Sequence, residues 1–502
     1  LNKCGNYEVL PEPAIVYSAD AWCHDNCPQT EPEGRGHAAD FWCIPQLLER
    51  GYAFATFHES DIDPDKDDFT DGIHAAYPDL DAPPEARWGT IAAWAWGLQR
   101  AVDYLVTDPL VDGGRIVELV GRGREPSSPV HQVFDASRHV VIPGLINTHH
   151  HMFQTLTRAH PKAINKELFP WLKSLYSIWK HVTIEDFRVA SRLAMTELLM
   201  SGCTCFSDHH YLFPKGLESA MDIQVEEAAK LGLRITLTRG SMNMSEKDGG
   251  LPPDAVVQDE DTVLADSERI INRYHDRSEG AMTRVALAPC APFTVTKRLM
   301  TESAKLALKH DCRLHTHLGE TRDEDEYCLH HFQCRPVDYL EEVGWMNDHV
   351  WLAHGIHFNQ DEVRRLGAAK VGVCHCPTSN MVLASGHCRT KELEAAGAPV
   401  GLGVDGSASN DNSNLMEGVR HALMINRLTY DAASVTHLDA LNWATRGSAA
   451  CLGRDDLGEI ALGRQADMAF FTLDELRFSG GGDPLATLVL CGAHKADRVM
   501  IK

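Results

Sequence analysis

The chain has 502 residues, of which 44% are hydrophobic, with 47 Lys and Arg against 71 Asp and Glu and a formal charge of −24. That length exceeds what one core usually spans, so two compact units are expected, although an α/β barrel alone can use about 250 residues. The acidic balance would repel a phosphate backbone and argues against a nucleic acid polymer as partner, and no uncharged apolar run of about 18 residues is available to cross a bilayer. The 15 cysteines are scattered, and several, such as Cys312 and Cys374, sit inside apolar runs. They read as buried, reduced thiols of a cytoplasmic protein. The first residue is Leu1 rather than Met, which leaves a preceding targeting peptide open.

Residues 1 to about 115 follow a grammar of their own. The stretches LNKCGNYEVLPEPAI at 1–15, RGYAFATFHESDIDPD at 50–65 and RWGTIAAWAWGLQRAVDYLVTDPLVDGGRI at 87–116 resemble an α/β-hydrolase of the glucuronoyl esterase family. That resemblance implies a Ser nucleophile in a strand-to-helix elbow just downstream. RIVELVGRGREPS stands there instead, with no Ser in the turn. The segment is therefore read as an esterase-like fragment without its nucleophile, joined near 111–120 in what reads as a chimeric or wrongly assembled coding sequence, and esterase activity is not expected. The acidic run 61–72 imitates a calcium loop, but Lys66 replaces its turn glycine and Gly72 its closing Glu, so a solvated loop is the better reading.

From about 139 the grammar changes to short runs rich in Val, Ile, Leu and Ala, separated by stretches with helical spacing. Eight such runs are expected at 139–149, 203–209, 233–239, 284–290, 312–317, 349–354, 370–375 and 399–405. Their apolar residues are continuous rather than alternating, as in parallel strands buried on both faces. Between them, Thr183 and Asp186 form a capping-box pattern, and Phe187, Ala190, Ala194 and Leu198 mark one face of the helix that follows. The fold expected is a (β/α)8 TIM barrel over 139–455, with 116–138 and 456–502 as the remnant of a small flanking β-domain.

Six of the eight runs end in His or Asp: His149, His209, His317, His354, His375 and Asp405. In this fold the chemistry sits at the C-terminal ends of the strands. His149 and His151 form an H-x-H pair, a weak signal alone among 27 histidines. The barrel would bring His317, His354 and Asp405 to the same mouth. Nitrogen-rich ligation with one carboxylate suits zinc and leaves iron or manganese open. His150 should point away by alternation, and one strand cannot aim Cys374, His375 and Cys376 at one ion.

The stretches PGLINTHHH at 143–151, HTHLGET at 315–321, LAHGIH at 352–357, CHCPTSNMVLASG at 374–386 and GLGVDGSASND at 401–411 resemble the amidohydrolase superfamily, in its branch of mononuclear-metal aminohydrolases. The resemblance covers about 115–502. It implies His149, His151, His317 and Asp405 as ligands of one divalent metal per subunit, Glu320 as an acid/base group, and His354 as the residue that orients or polarises water. Within that branch HHHMFQTLTRA at 149–159, LFPWLKSLY at 168–176, SDHHYLFP at 207–214 and TRGSMNMSEKDGGLPPD at 238–254 are similar to the 8-oxoguanine deaminases. The implied substrate is a small oxidised purine, with guanine, isoxanthopterin or a triazine as alternatives on the same machinery.

Gln154, Arg239 and Tyr211 are the expected substrate contacts, since an amide and a guanidinium can read ring carbonyls and a Tyr can stack or hydrogen-bond. Family resemblance also makes the flanking β-domain incomplete at both ends, which would leave a sheet edge open to pairing with another chain or to aggregation. A homo-oligomer and an inactive truncated product therefore both stay open as readings.

Overall fold

Parallel strands buried on both faces read as near-continuous apolar runs, and the chain forms a strand in each of the eight runs. The computed structural model describes residues 114–120, 126–127 and 132–501. The esterase-like segment and the acidic run at 61–72 lie outside the described residues, apart from Gly114 and Arg115. Eleven strands are described: β1 (His139–Pro143), β2 (Leu145–Asn147), β3 (Cys203–His210), β4 (Arg234–Ser241), β5 (Thr283–Pro289), β6 (Arg313–Leu318), β7 (Val350–His354), β8 (Gly372–His375), β9 (Val400–Leu402), β10 (Met468–Thr472) and β11 (Arg498–Met500).

Strands β2 to β9 make one eight-stranded sheet in chain order, every pairing parallel. The two ends of that sheet meet just beyond the strands, where Thr148 N donates to Leu402 O at 3.0 Å and Asp405 N donates to His149 O at 3.1 Å. Inside the barrel the Trp351 indole donates to Thr148 O at 3.1 Å, tying β7 to the turn after β2.

Helices fill the connections. The one at Ile184–Met200 starts with the expected capping box, Thr183 and Asp186 each bonding the other's backbone, and buries Phe187, Ala190, Ala194 and Leu198 with Ser191 and Met195 between them. Among the described residues no helix is long and apolar enough to cross a membrane. The described cysteines are free thiols, and all but Cys334 and Cys491 are buried.

The first apolar run differs from its expectation. Residues 139–149 divide at Gly144, where a Cβ would lie 2.2 Å from Thr204 Oγ1. β1 leaves the barrel and pairs antiparallel with β10, which pairs in turn with β11. The small sheet thus takes in 139–143, assigned above to the barrel. Gly202, at φ +93°, lets Phe471 and Ala469 of β10 pack within about 3 Å of where its side chain would be, which seats the small sheet on the barrel wall.

Candidate active site

The four expected metal ligands, with Glu320 and His354, converge at the C-terminal mouth. β2 ends at Asn147, and the following turn carries His149 and His151. β6 carries His317, with Glu320 one residue beyond Gly319 at φ +68°; β7 ends on His354; Asp405 lies three residues past β9. His354 and Asp405 both sit at positive φ, 75° and 64°. For residues with a Cβ this conformation costs of order 1–3 kcal/mol. Asp405 Oδ1 is 3.4 Å from His149 Nε2 and 3.3 Å from His151 Nε2, and His151 Nε2 is 3.1 Å from His317 Nε2.

Which nitrogen of each ring carries its proton follows from acceptors that can only accept. His151 Nδ1–H donates to His209 O at 2.8 Å, and His317 Nδ1–H donates to Cys290 O at 2.6 Å. His315 Nδ1–H donates to Trp351 O at 2.8 Å, so its Nε2 is free to accept from His149 Nδ1–H at 2.8 Å. Burial pushes the pKa of all three site rings down, His151 to about 3, so they are neutral.

Three Nε2 lone pairs therefore face one another and Asp405 with no proton between them, and His149 Nε2 is buried without a hydrogen-bond partner among the described residues. That arrangement is repulsive unless a cation sits among the lone pairs. Ligands about 2.0–2.1 Å from a tetrahedral metal stand roughly 3.3 Å apart, which is the spacing seen. The buried cluster fits a metal ion.

Beside it, His354 Nε2 is 3.5 Å from Glu320 Oε2 and 3.8 Å from Asp405 Oδ2, while its Nδ1–H donates to Asn380 Oδ1 at 3.0 Å. Burial pushes Glu320 up to about 7, against the pull of His354 and with help from the charge of Asp405. Burial alone would depress His354, but Glu320, Asp405 and the Asn380 amide together hold it above its ordinary value.

The cavity above these groups is walled by Leu168, Trp171, Leu172 and Phe293, with Gln154, Tyr211 and Cys290 on its polar side. Gln154 Oε1 is buried without a hydrogen-bond partner among the described residues, and it approaches the backbone at Gly406 so closely that a Cβ there would overlap it at 1.8 Å. Arg239 does not line this cavity. Its guanidinium donates to Asp266 at 2.6 Å, to Gln258 at 2.8 Å and to Gly240 O, and lies 4.1 Å over the Phe213 ring. A fully buried guanidinium needs several acceptors at once, and those lie within its own strand and neighbouring segments.

His150 points away, to Ser413 Oγ at 2.9 Å. His375 makes a long contact with Asn426 at 3.5 Å, and Cys374 and Cys376 face each other at 3.7 Å, outside every ligand cluster described.

Sequence reasoning left out His315, Asn380 and Glu324. His315 was open to discovery, since it lies two residues before His317 on the same strand face. Glu324 accepts from Gly319 N at 3.0 Å and Glu320 N at 3.1 Å and so clamps the loop carrying Glu320. Asn380 stood inside a quoted motif without a role.

Residues 140–501 match the amidohydrolase family. The chain belongs to that family. Among family relatives it is 60% identical over 392 residues to an 8-oxoguanine deaminase of Pseudomonas aeruginosa, covering 78% of this chain and 87% of the relative. It is 34% identical over 411 residues to an isoxanthopterin deaminase from an unknown prokaryotic organism, covering 77% and 85%. Among solved structures it resembles atrazine chlorohydrolase TrzN from Arthrobacter aurescens TC1 complexed with zinc, at 32% identity and a TM-score of 0.74, covering 78% of this chain and 88% of that one.

Proposed function

We propose that this chain is a metal-dependent hydrolytic deaminase that converts 8-oxoguanine and water to uric acid and ammonia. The observation that carries the chemistry is the set of three Nε2 lone pairs and Asp405 beside a buried Glu320. The choice of ring is supported by the 60% identity to the Pseudomonas aeruginosa 8-oxoguanine deaminase. His149, His151, His317 and Asp405 would hold one divalent ion per subunit, zinc before iron or manganese, because neutral imidazoles with one carboxylate are the donors zinc favours. Such an ion, when bound, lowers the pKa of water from about 15.7 toward 7.

The chain's own residues supply the rest. Asp405, close to His149 and His151, accepts the proton of the attacking water. Glu320, with a pKa of about 7, is populated in both forms near neutrality, which is what a group that gives and then recovers a proton needs. It protonates the ring nitrogen beside the amino-bearing carbon and helps carry a proton to the departing ammonia. His354, its ring fixed by Asn380, steadies the charge that develops on oxygen. Gln154 and Tyr211 read the ring edge from the polar side of the cavity, and the apolar wall covers its faces.

Ammonia release from 8-oxoguanine, guanine, isoxanthopterin and a triazine tests the reading. The highest kcat/KM is expected for 8-oxoguanine; activity confined to the other three overturns the choice of ring. Chelation should abolish turnover and zinc should restore it, and full turnover by protein shown to be free of metal would overturn the mechanism.

A further inference from the structure

His315 belongs to neither the cavity wall nor the set of lone pairs, yet it is fully buried directly behind His149. Its ring lies 4.9 Å from that of His209 and is held by Trp351 in two ways. Its ring stacks on Trp351, centroids 4.3 Å apart and planes 11° from parallel, and its Nδ1–H is held by Trp351 O at 2.8 Å. A carbonyl accepts and never donates, and an imidazolium buried here would carry a heavy desolvation cost. The ring is therefore neutral with its proton on Nδ1, and Nε2 can only accept. Its neighbour at 2.8 Å is His149 Nδ1. His149 must then carry its own proton on Nδ1, which turns its Nε2 lone pair toward Asp405.

We propose that His315 is a positioning residue, an uncharged relay that selects the tautomer and ring orientation of His149 from the Trp351 carbonyl and so prepares that ring to bind metal; this rests on the metal reading above. His151 and His317 are set by backbone carbonyls directly, and His149 alone of the three is set through a second side chain. A neutral imidazole acceptor fixes the His149 proton without adding negative charge behind it, so His149 remains a neutral ligand.

Two substitutions separate the relay from simple packing. His315→Phe keeps a flat ring on Trp351 and removes the acceptor. His315→Gln loses the stacked ring but can present an amide oxygen to His149 Nδ1–H. The readout is zinc stoichiometry of the purified protein and its rate of loss into excess chelator, with thermal melting as the check on folding. The relay predicts that affinity in His315→Phe falls by about 10- to 100-fold, the range found when a group supporting a metal ligand is removed, while His315→Gln retains metal better than His315→Phe. The reverse order, with Phe holding zinc like the parent and Gln losing it, overturns the inference and assigns His315 to packing.

If neither variant folds, long-range 1H–15N spectra of the parent decide. Protons on Nδ1 of both His315 and His149 support the relay, and a proton on His315 Nε2 overturns it. A parent that takes up no metal overturns the metal reading and this inference with it, whereas a parent and Phe variant of equal affinity overturn this inference alone.

Discussion

The two ends of the barrel treat buried charge in opposite ways. At the N-terminal end two buried arginines are each answered by a carboxylate. Arg234 grips Asp467 through two bonds of 2.8 and 3.1 Å, and Arg454 grips Asp456 through two of 2.8 Å, with Gly280 N adding a third donor to Asp456. At the C-terminal end lone pairs face lone pairs, burial pushes the pKa of Glu320 up to about 7, and two backbones stand at positive φ. The first pattern joins β10 and the segment before it to the barrel. The second is unfavourable as stability and intelligible as chemistry, since a site that must bind a cation and move protons needs groups left unsatisfied by the fold.

Substitutions at the two ends should therefore separate activity from stability. Glu320→Gln is expected to lower kcat by about 10²- to 10⁴-fold, with metal content and melting temperature at or above those of the parent. A variant that keeps activity would remove Glu320 from the chemistry. At the other end, Arg234→Met removes the two guanidinium bonds to buried Asp467 and should cost on the order of 3–5 kcal/mol in urea unfolding, while kcat of the folded fraction is unchanged. A loss below about 1 kcal/mol would mean that the ion pair does not hold that end together.

Gln154→Ala probes the boundary between substrate and protein. It should raise KM for 8-oxoguanine about 10-fold, the value of one hydrogen bond near 1.4 kcal/mol, and leave zinc binding alone. An unchanged KM would take Gln154 out of the substrate contacts.

The smallest expected effect is a difference in pH dependence, read from urea midpoints. Burial pushes Glu324 up to about 8, although the Gly319 and Glu320 amides pull it down. Its folded pKa lies above the ordinary 4.5, so the stability it contributes is lost as pH rises between those values. Glu324→Gln should gain on the parent across that window. Asp456 is displaced the other way: burial raises it, but the Arg454 guanidinium overrides burial and holds it below the ordinary 3.8. The advantage of the parent over Asp456→Asn should be complete above about pH 4 and shrink in acid. Parallel pH profiles for the two variants would erase the contrast between the ends.

Much of the site was legible because barrel geometry converts strand-end positions into neighbours. His149, His151, His317, His354 and Asp405, distant along the chain, could be assembled from apolar runs that stop in polar residues. The split at Gly144 was not legible. Val140 and Ile142 of β1 are as apolar as Leu145 and Ile146 of β2, and only pairing with β10, more than 300 residues later, separates the two strands. The place of Arg239 was equally hidden, because Asp266 and Gln258, which hold it, lie in the segment after its own strand and carry no motif.

Sequence alone determined the eight apolar runs and the donor types at their ends, since apolar runs and side-chain alternation are local properties, while family resemblance supplied Glu320. Tertiary structure decided which nitrogen of each imidazole bears its proton. The acceptors that hold the His151, His317 and His315 protons, His209 O, Cys290 O and Trp351 O, lie in other strands or just past one, and a carbonyl that can only accept leaves each of those rings a single way to turn.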